Sequence, residues 1–144
     1  MPSGFRSEFG HKFKTKKRSV YAPVFRNSPY EVLQVFDVAN PNFVMGKRPN
    51  SNIPTQALFM LNSGFVADAA ESAAKELLEL PATDDSARIA LAFRRVLGRP
   101  PSDVERQISL ELLETERKAG ADSIQQWITL HQGLFACVDF RYLR

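Results

Sequence analysis

The sequence predicts an all-α fold: a compact bundle of five or six helices with an extended N-terminal segment and a long ordered loop. Three observations predict it. Apolar residues recur at helical spacing over much of residues 54–138. Capping residues and Gly or Pro stops bracket most of these stripes. No alternating strand pattern of useful length interrupts them, and no internal repeat is present. A chain of 144 residues suits one domain, and chains of this size bury roughly 70% of their unfolded surface. With 44% apolar and 24% charged residues, the composition is that of an ordinary globular protein.

Residues 1–27 show no helical period and mix glycine, basic residues and single aromatics. Residues 1–15 are expected to form a flexible basic arm, and residues 16–144 a single helical domain. Residues 16–27 read as extended. Ser28, Pro29 and Glu31 then mark a helix start: serine caps, proline suits the first helical position, and glutamate lies three residues after the cap. Val32, Leu33, Val35 and Phe36 supply its apolar face. Residues 40–53 hold two prolines, a glycine and four asparagines, which is loop composition.

Residues 54–61 start a second helix, which Asn62, Ser63 and Gly64 interrupt or kink. Residues 65–80 continue with Phe65, Ala69, Ala73 and Leu77 at steps of four, joined by Val66, Ala70 and Leu80, until Pro81 stops the run. Thr83 or Asp84 caps the next helix, whose stripe is Ile89, Ala92, Phe93, Val96 and Leu97. Gly98 is its C-terminal cap, and Pro100 and Pro101 forbid continuation. Ser102 with Glu105 forms a capping box. The helix from residue 103 to about 118 turns Val104, Ile108, Leu112 and Leu113 inward, and Gly120 ends it. Asp122 and Gln125 open the last helix, with Ile124, Trp127, Ile128, His131, Leu134, Phe135 and Val138 as its stripe. Residues 84–138 thus read as three sequential helices with short connections, expected to lie antiparallel.

No run of about 18 apolar residues exists, so no membrane span is expected. The N-terminus has no apolar h-region, so no signal peptide is expected. The sole cysteine, Cys137, excludes an internal disulfide, a c-type haem attachment pair and a cysteine-rich zinc site. No cofactor is expected. The net charge of +3 is uneven: residues 1–50 carry nine Lys/Arg against three Asp/Glu, and residues 51–144 carry ten against thirteen. The basic part either attracts the acidic part or faces an acidic partner.

Several residue blocks occur in a definite order. They are Arg18, Ser19, Val20 and Tyr21; Arg26 and Asn27; Phe36 and Asp37; Arg48; and the run Pro54, Thr55, Gln56, Ala57 and Leu58. Leu61, Asn62 and Ser63 follow with Phe65 and Val66, then Leu97, Gly98 and Arg99 with Pro101 and Glu105, then Trp127, and finally Phe140, Tyr142 and Leu143. In this order and spacing the chain resembles the planctomycete C-terminal domain of unknown function that follows cytochrome-like domains in large planctomycete cytochrome-type proteins. The resemblance implies a terminal module beside a c-type cytochrome domain, in relatives that are typically exported. It carries over no catalytic residues.

Within those blocks, Arg18, Arg26, Asp37, Arg48, Gln56, Asn62 and Arg99 are the polar positions. They form either a polar pocket or a structural network in which arginine forks pair with Asp37 and with helix carbonyls. Asn62 has a third reading, as a cap at the kink. Lys12, Lys14, Lys16 and Lys17, with Arg18, Phe13 and Tyr21 nearby, are either polyanion contacts or a solvated arm. His131 reads as a packed histidine, because the only other histidine is His11. Cys137 reads as a small core residue. Asp84 and Asp85 stand at a helix start, where acid favours the dipole. Neither a nucleophile elbow nor a phosphate loop is present.

Three functions remain, in this order. The first is an interaction or structural module that docks on another protein or domain, cytochrome-type by the resemblance. The second is a module that binds nucleic acid or acidic polysaccharide through the basic N-terminal segment. The third is a non-autonomous part of an enzyme, with a pocket around Arg26, Arg48 and Gln56.

Overall fold

The computed structural model describes residues 21, 31–36, 46 and 53–141. The chain divides into two units, Met1–Ile53 and Pro54–Arg144. The fold of the described residues is all-α: seven helices and no strand. The basic arm, all of the extended segment except Tyr21, the helix start at Ser28 and nearly all of the loop at 40–53 lie outside the described residues.

In the first unit, α1 (Glu31–Val35) is a single short helix. The Phe36 N–H donates to the Val32 carbonyl at 3.1 Å and closes its last turn. Val32, Leu33 and Val35 are half-buried, whereas Phe36 is exposed.

The second unit, from Pro54 onward, holds all but the first residue of α2 (Ile53–Asn62), followed by α3 (Gly64–Glu79). A single residue, Ser63, separates them, with φ −72° and ψ 125°. This extended backbone is the kink expected at residues 62–64. Next come α4 (Asp85–Leu97), α5 (Asp103–Lys118), α6 (Ser123–Ala136) and the four-residue α7 (Val138–Arg141). The expected five or six helices become seven because α7 follows α6 after an extended residue, Cys137.

Local chemistry sets the boundaries. The Asp84 side chain accepts the Ala87 N–H at 2.7 Å and starts α4. Gly98 ends it at φ 71°, a conformation that costs any residue with a Cβ. Ser102 and Glu105 make a complete capping box on α5. Asp122 accepts the Gln125 N–H at 2.8 Å and starts α6.

Helices α3 to α7 pack together, with α3 on α6 as the largest contact. The core cluster holds Ala74 and Leu77 from α3, Ile89, Ala92 and Phe93 from α4, Leu113 from α5, and Trp127, Leu130 and Leu134 from α6. Alanines on the buried row of α3 leave room for the large side chains of α6. Full burial of Leu77, Ile89 and Leu113 contributes about 1.5–3 kcal/mol each.

Three expected faces are corrected in part. On α3, Val66, Ala70 and Leu77 of the expected stripe are buried together with Ala74, whereas Phe65 is exposed and Ala69 and Ala73 are only half-buried. The paired alanines make the two rows alike in composition, so the neighbouring helix decides between them. On α5, Val104 and Ile108 are 68% and 59% exposed, and the buried row is Ser109 and Leu113, with Leu110 and Leu112 packed alongside. Ser109 is tolerated there because its hydroxyl donates to the Glu105 carbonyl at 2.7 Å. On α6 the inward row includes Leu130, which the expected stripe omits, and Val138 beyond it is exposed.

Candidate functional site

Three of the seven polar positions singled out in the sequence are described: Gln56, Asn62 and Arg99. Arg18, Arg26, Asp37 and Arg48 lie outside the described residues, as do Lys12, Lys14, Lys16 and Lys17. Gln56 is buried on α2. Asn62 is exposed at the end of α2, and its Nδ2 donates to the Leu58 carbonyl at 2.8 Å. The side chain thus bonds back to a carbonyl one turn earlier in its own helix.

Arg99 stands between α4 and α5, where Gly98 turns the chain. Its Nη1 and Nη2 donate to the two oxygens of Glu105 at 2.8 and 2.6 Å. Its Nε and Nη2 donate to Asp139 Oδ2 at 3.2 and 2.6 Å, and Nη1 also reaches the Pro100 carbonyl at 3.2 Å. A guanidinium has five N–H donors, and these five bonds engage its whole fork. Glu105 Oε2 additionally accepts the Ser102 N–H at 2.7 Å. The Arg99 hydrogen bonds hold the Glu105 carboxyl down at about 2, helped by Ser102 and opposed by partial burial. Glu105 and then Asp139 push Arg99 above its ordinary value. Both groups stay charged at any working pH, and neither suits proton transfer. The cluster ties the α4–α5 turn to α7, where Phe140 also meets Phe135 at a ring separation of 5.0 Å.

His131 is buried on α6, and its Nδ1 lies 2.7 Å from the Trp127 carbonyl. A carbonyl only accepts, so Nδ1 carries the proton. Burial pushes the imidazole below its ordinary pKa, with Arg95 adding to the shift and the Trp127 bond opposing it. Cys137 is half-buried at the end of α6. Among the described residues, no group of three or more His, Cys, Asp or Glu is placed to hold a metal ion. No helix among them is long and apolar enough to cross a membrane.

Sequence reasoning missed a different feature. Leu58 and Leu61, one turn apart on α2, are 60% and 51% exposed, and Phe65 in the first turn of α3 is 55% exposed. A signal was present: residues 49–67 contain no Asp, Glu, Lys or Arg. An uncharged surface segment with three large exposed apolar side chains can bury them only against another apolar surface.

A family model described as PSD1, protein of unknown function (DUF1553), matches residues 5–113. The chain belongs to this family. The match takes in α1 to α4 and most of α5, with the Leu58, Leu61 and Phe65 segment and the Arg99–Glu105 pair inside it. It stops before Trp127 and the Phe140, Tyr142 and Leu143 ending that the resemblance includes. No curated protein and no solved structure matches the chain.

Proposed function

We propose that this DUF1553 chain is a helical docking module that offers the uncharged apolar segment of α2 and early α3 to another protein. The observation that carries it is the exposure of Leu58, Leu61 and Phe65. A single exposed leucine is ordinary on any surface. Leu58 and Leu61 on α2, with Phe65 just past the Ser63 kink, are the anchors by which this uncharged helix–kink–helix segment enters an apolar groove. The resemblance to planctomycete cytochrome-type proteins supplies the first partner to try, a c-type cytochrome domain from such a protein.

The test titrates that cytochrome domain with the full chain and with its Leu58→Ser/Leu61→Ser variant, at low and high salt. Saturable binding with little salt dependence is expected, weakened roughly tenfold or more in the variant. No saturation at high micromolar concentration would abandon the cytochrome domain as partner, and equal binding by the variant would sink the segment as the contact. Affinity that falls steeply with salt and vanishes on removal of residues 1–18 would favour the polyanion reading instead.

A further inference from the structure

We draw no further inference here: the strongest candidate, the second exposed apolar pair Val104 and Ile108 on the outer face of α5, is an unpartnered helix face, and nothing in the structure shows what covers it.

Discussion

At Arg99 a planar fork meets two carboxylates, one six residues away and one forty residues away. The nearer partner, Glu105, is held at about 2 against an ordinary 4.5. Its depressed pKa contributes stability that is present above 4.5 and is lost as pH falls towards 2. Arg99→Lys keeps the charge but loses the fork. It should lower Tm at pH 7 by several degrees and narrow the gap between melts at pH 5 and pH 3. An unchanged gap in thermal melts would mean that the pair carries no linkage. His131 acts in a separate window. Its folded pKa lies below 6.5, so its contribution is complete above 6.5 and shrinks as pH falls below it, because the unfolded chain takes up the proton first. His131→Phe should therefore flatten the melting profile between pH 7.5 and 5 and leave the Glu105 window intact.

Glycines test the helices as elements. Gly98 has φ 71° and nothing within 4 Å of an added Cβ, so Gly98→Ala meets backbone strain alone and should cost about 1 kcal/mol. Gly133 lies inside α6, also with open space at its Cβ. Gly133→Ala should stabilise by about 0.5–1 kcal/mol. Urea unfolding of both variants checks the pair of signs. This contrast shows what was legible in the sequence. Asp84, Gly98, the Ser102–Glu105 box and Asp122 act within a few residues of themselves, so their spacing alone marks the starts of α4, α5 and α6 and the end of α4. Faces are decided by neighbours. Phe65 and Ile108 continue apolar rows, yet the burial of Val66 and Leu113 turns those rows outward. The same limit applies to the site. Glu105 was visible as a capping residue, but its bond to Arg99 and the arrival of Asp139 depend on how α7 folds back.

The bundle as a whole draws its core from α3 to α6 and leaves Leu58, Leu61 and Phe65 outside it. A face that contributes nothing to the core is free to serve a partner, and removing its apolar groups should cost the fold little. The most direct measurement is a thermal melt with light scattering on the wild-type chain and the Leu58→Ser/Leu61→Ser/Phe65→Ser variant. The expected result is a Tm within about 6 °C of wild type, since three surface changes of at most about 0.5 kcal/mol each shift the Tm of a chain this size by no more than that, together with equal or reduced self-association. A Tm lowered by many degrees would contradict it, because those side chains would then be holding the fold together and would not be available to another protein.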